Sequence, residues 1–81
     1  MARYYIDIHD GEQLVRDDEG FEFDSASNAM RAAARSATEI GTSKLAKGAT
    51  SDVVIEVRDQ QDQRIVTVTA SMTIEWHDPL P

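Results

Sequence analysis

The sequence predicts a two-layer α+β domain of β-β-α-β-β order, a four-stranded antiparallel sheet with one helix on one face. Three observations carry that expectation. Residues 3–10 and 52–76 alternate apolar and polar side chains with period two, as half-buried strands do. Residues 26–47 are rich in alanine, with apolar positions recurring at helical spacing. An Asp10-Gly11 step and the polar run Asp59–Gln63 mark reversals between alternating stretches. A chain of 81 residues forms a single small domain, 1–81, with no room for a second core.

The first strand places Tyr4, Ile6 and Ile8 on one face and Tyr5, Asp7 and His9 on the other. Asp10-Gly11 supplies the positive φ of a tight reversal. A second short strand, Gly20 to Asp24, sets Phe21 and Phe23 on one face against Glu22. The stretch from Gly11 to Glu19 is long for a tight hairpin, so a loop is expected there, with Leu14 or Val15 tucked onto the core edge.

Ser25 is the expected helix N-cap, and Asp24 beside it suits the positive end of the helix dipole. The helix runs from Ala26 to about Lys47. Its apolar stripe is Met30, Ala33, Ala37, Ile40 and Leu45, flanked by Ala26, Ala29 and Ala34. Gly41 inside it permits close approach to the sheet or a local break. Lys44 and Lys47 lie in the last turn, and Gly48 is a good stop. The third strand, Asp52 to Asp59, alternates Val53, Ile55 and Val57 with Val54, Glu56 and Arg58. The fourth and longest, Arg64 to Trp76, sets Val66, Val68, Ala70, Met72, Ile74 and Trp76 in one phase. Pro79 and Pro81 end regular structure, leaving residues 78–81 as a frayed tail. Two hairpins side by side give the favoured strand order 2-1-3-4, in which every neighbour is antiparallel.

The formal charge of −7 is unevenly spread. Basic residues number two against eight acidic ones over 1–24, four against one over 25–50, and two against six over 51–81. Acidic flanks around a basic middle argue against broad nucleic-acid binding. The absence of cysteine removes disulfides and thiolate metal sites, and it fits a reducing compartment. No apolar run approaches the ~20 residues of a membrane span. The opening enters a strand with no basic and hydrophobic leader, so a cytoplasmic location without membrane contact is expected.

Chemistry-bearing patterns are sparse. Asp7-x-His9-Asp10 and His77-Asp78 pair histidine with aspartate, yet neither supplies the three or four converging ligands of a metal site. Asp17-Asp18-Glu19-Gly20 lacks the spacing of a calcium loop and reads as a solvated acidic loop. There is no nucleophile elbow and no phosphate-cradling glycine loop. No enzyme activity and no cofactor are expected.

Two surfaces remain. The open face of the sheet gathers Tyr5, Asp7, His9, Glu56, Arg58, Thr67 and Thr69, and is the candidate interaction face. The helix carries a candidate basic face of Arg31, Arg35, Lys44 and Lys47. A small core and a long fourth strand with a free edge make a homodimer the expected assembly.

The opening Arg3-Tyr4-Tyr5-Ile6-Asp7-Ile8-His9-Asp10-Gly11 resembles that of a bacterial family of short proteins, the domain of unknown function numbered 6894. Its members open R-Y-Y-F-D-I-x-D-G, continue with D-x-x-G and an Ala/Arg-rich helix, and close on V-x-V-R-D-x-x-G. Asp17-Asp18-Glu19-Gly20 and Val54-Ile55-Glu56-Val57-Arg58-Asp59 are similar to the later parts, in order. The chain departs where Gln63 stands for the turn glycine and where its end runs on through Trp76. The resemblance implies no catalytic or binding residues. The strand-strand-helix-strand arrangement is also similar to HicB-type antitoxin domains. The expected role is that of a non-catalytic protein-interaction or regulatory module acting through its open sheet face or edge strand. The alternative is an antitoxin-like, nucleic-acid-linked regulator using the basic helix face.

Overall fold

A computed structural model of the chain describes residues 1–11 and 13–78. Five strands and one helix follow in the order β1 (Ala2–Asp10), β2 (Gln13–Val15), β3 (Phe21–Phe23), α1 (Ala26–Ala46), β4 (Val53–Arg58) and β5 (Arg64–Ala70). All strand pairs are antiparallel, in the order β2-β1-β4-β5, with β3 also pairing β1. The α+β class, the single helix and the order of the two expected hairpins hold.

The strand count is five rather than four. Asp10 pairs with Gln13, so the reversal begins at Gly11 and the chain at once pairs back along β1. Leu14 and Val15 therefore lie in a strand and are 68% and 58% exposed, not tucked onto the core. The physical reason is the length of β1. β3 covers only Ala2–Tyr4, and β2 takes up the backbone of Ile8–Asp10 on the same edge.

β5 stops at Ala70 instead of running to Trp76. Ala70 pairs with Val53, the first residue of β4, and beyond it no strand remains to pair with among the described residues. Of the expected frayed tail 78–81, residues 79–81 lie outside the described residues.

The helix begins as its sequence dictates. Ser25 is extended, and its hydroxyl accepts the Asn28 N–H at 3.1 Å. At the other end the Gly48 and Ala49 N–H groups donate to the carbonyls of Leu45 and Lys44. The line of deepest burial is Ala29, Ala33, Ala37 and Gly41, which takes in Ala33 and Ala37 of the expected stripe but not its larger members Met30, Ile40 and Leu45. Small residues at i, i+4 spacing let the helix backbone settle on the sheet, and Met30 and Ile40 are left half-buried at its flanks. At Gly41 the approach is to Met72 and Ala70: a Cβ there would meet the Met72 Cε at 3.0 Å.

Val53, Ile55 and Val57 on the central strand β4 are wholly buried beneath the helix. Each contributes about 2 kcal/mol of apolar burial. Tyr4, Ile6, Ile8, Phe23, Val66 and Val68 complete this face of the sheet. Among the described residues the opposite face carries no helix, and the side chains that could serve a function stand there. No helix is long and apolar enough to cross a membrane, among the described residues.

Candidate functional site

The strand register builds the open face directly. Tyr5 stands opposite Arg58, Asp7 opposite Glu56 and His9 opposite Val54, while Glu56 and Val54 meet Thr67 and Thr69 on β5. The interaction-face residues expected from the sequence thus share one face, but their environments differ sharply.

Asp7 is buried. Its Oδ2 accepts Arg58 Nε at 2.6 Å, and its Oδ1 accepts a second guanidinium N–H of Arg58 at 3.0 Å. Oδ1 also accepts the backbone N–H of Asp17 at 2.9 Å. The two side chains are each only 12% exposed, so this fork is a buried, bidentate pair. Arg58 donates further to the Asp17 carbonyl at 3.0 Å and to Asp62 Oδ1 at 2.6 Å. Its guanidinium carbon lies 5.0 Å from the centre of the Tyr5 ring, a cation–π contact.

Asp17 sits in the gap between β2 and β3, opposite the middle of β1. Its Oδ2 accepts the Ile6 N–H at 3.0 Å, standing in for the strand missing there. Its Oδ1 accepts the N–H groups of Glu19 at 3.1 Å and Gly20 at 2.9 Å, a turn closed by an aspartate side chain. Gly20 has a φ of +76°, and a Cβ on it would lie 2.9 Å from the Tyr4 carbonyl oxygen and from Arg3 Cγ. Only glycine fits both that backbone and that space. The expected solvated acidic loop is, at Asp17, a half-buried structural carboxylate.

The electrostatics follow from these contacts. Burial pushes the Asp7 carboxyl up, but the hydrogen bonds from Arg58 and Asp17 and the nearby arginine charges hold it below its ordinary 3.8. At Asp17 burial also pushes up, and the N–H groups of Gly20, Ile6 and Glu19 outweigh it, again giving a lowered value. The Asp7 hydrogen bond is the main cause that raises Arg58 above its ordinary range, with burial opposing it.

The remaining expected residues are peripheral to this network. Glu56 accepts Thr67 Oγ1 at 2.7 Å and lies 3.1 Å from Arg64 Nε. His9 and Thr69 are exposed, with Leu14 paired beside His9 on β2. Asp17, Asp62 and Arg64 were not singled out from the sequence as site residues. The spacing Asp17-x-x-Gly20 was the available signal, because an aspartate three residues before a glycine suits a side-chain-closed turn. Asp62 has a φ of +63°. It is the third residue after Asp59, so the turn glycine of V-R-D-x-x-G falls on Asp62 and not on Gln63.

The basic helix residues do not form one patch. Lys44 is half-buried and pairs with Asp10 at 2.6 Å. At about 100° per residue it lies roughly opposite Arg31 on the helix. Arg31 bonds Asn28 at 2.8 Å and, with Arg35 and Lys47, is exposed. Among the described residues no three histidine, aspartate or glutamate side chains cluster to hold a metal ion.

The residues that meet in the network, Asp7, Asp17 with Gly20, and Arg58, come from three separate stretches of the chain. The family model described as domain of unknown function DUF6894 matches residues 3–71, which include all three. The chain belongs to this family. The opening strand, the Asp17–Gly20 turn and the β4 stretch each contribute a partner to one hydrogen-bonded latch. No curated protein and no solved structure matches the chain.

Proposed function

We propose that this DUF6894 protein is a non-catalytic interaction or regulatory module that binds a protein partner along its β5 edge. The observation that carries the reading is the continuation of β5. Ser71–Trp76 keeps the strand's alternation of apolar and polar residues past the point where β4 ends. Ile74 and Trp76 are 41% and 74% exposed along it. Among the described residues β5 pairs only with β4, which leaves a row of backbone donors and acceptors along its other side.

The open face supports the same choice by elimination. Both oxygens of Asp7 are occupied by Arg58, and Arg58 is spent on Asp7, Asp17 and Asp62. A carboxylate and a guanidinium whose hydrogen-bonding groups are already engaged make a poor receptor and a poor source of a general base. The basic helix reading gains no support, because Lys44 is engaged with Asp10.

The test is hydrogen exchange on the full chain, compared between dilute and concentrated solution and with a protein it retains from an extract of its host. Protection gained at residues 64–76 is the expected result. Protection confined to the helix or to β1 would remove the reading.

A further inference from the structure

We infer that the β5 edge binds a second copy of this chain, by reciprocal strand exchange about Ala70. The inference rests on the edge reading above and names its partner. β5 contributes seven residues, Arg64–Ala70, and the unpaired continuation Ser71–Trp76 adds six. The combined thirteen-residue stretch is centred on Ala70. In an antiparallel pair of two such stretches related by a two-fold axis, the continuation of each chain lies along the β5 edge of the other.

The pairing is self-consistent in face and in chemistry. With Ala70 opposite Ala70 of the second copy, Val68 meets Met72 and Val66 meets Ile74, so apolar side chains stay on the helix-covered face. Thr67 meets Thr73 and Thr69 meets Ser71 on the open face, both favourable cross-strand pairs. The register shift between Val57 and Arg58 brings Arg64 onto the open face, 3.1 Å from Glu56 and 70% exposed. Glu75 of the second copy, opposite Ile65, arrives beside that guanidinium, and the two-fold axis repeats this charge match at the other end.

The dimensions agree. The molecule is 54 Å long, which β1 and α1, each about 30 Å, do not reach. The chain after Ala70 runs past the last pairing with its own β4 while Met72 stays against Gly41 of its own helix, and the backbone of this stretch is offered to a second molecule. Exchange of this kind also gives cover to Ile74 and extends a small core.

Light scattering on the full chain tests the inference, with the variants Thr73→Pro and Ile74→Pro. Between them these remove a backbone donor from either phase of the continuation, while leaving the folded sheet intact. The parent is expected at twice the 9.0 kDa chain mass, and at least one variant at 9.0 kDa with a dissociation constant raised about tenfold or more. The chain has no cysteine, so Ala70→Cys should form an intermolecular disulfide on mild oxidation, and Thr67→Cys should not. A parent that stays at 9.0 kDa at high micromolar concentration overturns the inference. So does a dimer indifferent to both prolines, or one cross-linked through residue 67 alone. A monomeric parent whose residues 64–76 are still protected by another protein overturns the second copy while sparing the edge reading.

Discussion

Arg58 and Asp7, fifty-one residues apart in sequence, form a two-pronged ion pair at 2.6 and 3.0 Å beneath the open face of the sheet. The pair joins the first strand to the fourth, and through the Asp17 carbonyl it also holds the loop that separates β2 from β3. One side chain therefore ties together three stretches that the backbone ladder connects only in part.

Removing Arg58 leaves a buried carboxylate and a carbonyl without their partner. Arg58→Met is expected to destabilise the fold by about 3 kcal/mol, the usual cost of breaking a buried pair from one side. That is a large share of the roughly 8 kcal/mol expected of a domain this size. Asp7→Leu combined with Arg58→Met should cost less than Arg58→Met alone, because no charge is then stranded. Chemical denaturation of the parent, Arg58→Met, Asp7→Leu and the double variant measures the cycle, and strict additivity would deny the pair its role.

Acid should open the same latch. Asp7 and Asp17 both have lowered carboxyl pKa values in the folded protein, relative to an ordinary 3.8. The unfolded chain therefore takes up protons first as pH falls. The stabilisation is complete above the ordinary value and is lost as pH drops below it and through the folded values. Stability between pH 7 and 5 should be nearly flat with respect to these two groups, with a steep loss below about pH 4. In Asp7→Asn the acid limb should be shallower, as read from urea midpoints across that range.

Gly20 and Gly48 both have positive φ, of 76° and 86°, but only Gly20 is hemmed in. An added Cβ at Gly20 collides with the Tyr4 carbonyl and Arg3, whereas none of the described atoms lies within 4 Å of one at Gly48. Gly48→Ala is expected to cost about 1 kcal/mol, the price of the left-handed backbone alone. Gly20→Ala should cost about 3 kcal/mol, since β3 must shift from β1 as well. Equal thermal shifts for the two variants would show that the contact at Gly20 is not tight.

Most of the fold was legible because its strands alternate and its helix is capped by Ser25, signals local to a few residues. β2 was not legible, because three exposed residues carry no periodicity and its existence depends on how much of β1 the distant β3 leaves bare. The end of β5 was misplaced for a similar reason. Alternation through Trp76 is a property of that segment, but pairing depends on β4, which begins at Val53. The open face was legible as a set of residues, since phase alone assigns Tyr5, Asp7 and Arg58 to it. The joining of Asp7, Arg58 and Asp17 was not, because a loop carboxylate that substitutes for a strand leaves no periodic trace.

Asp62 combines two opposing effects that substitution can separate. It occupies the left-handed conformation with a φ of +63°, and its carboxylate takes Arg58 at 2.6 Å and Arg16 at 3.5 Å. The side chain is 68% exposed, so its ion pairs contribute no more than about 1 kcal/mol and are screened by salt. Glycine relieves the backbone cost by about the same amount. Asp62→Gly should therefore leave stability within about 0.5 kcal/mol of the parent in dilute buffer, and above it in 1 M salt, where the lost ion pairs count for less. Asp62→Ala keeps the strained backbone and loses the carboxylate, so it should fall about 1 kcal/mol below Asp62→Gly under both conditions. Denaturation midpoints of the three proteins at low and high salt decide the matter. Asp62→Ala matching Asp62→Gly would mean that the left-handed residue carries no cost here, and that the aspartate is kept for its charge.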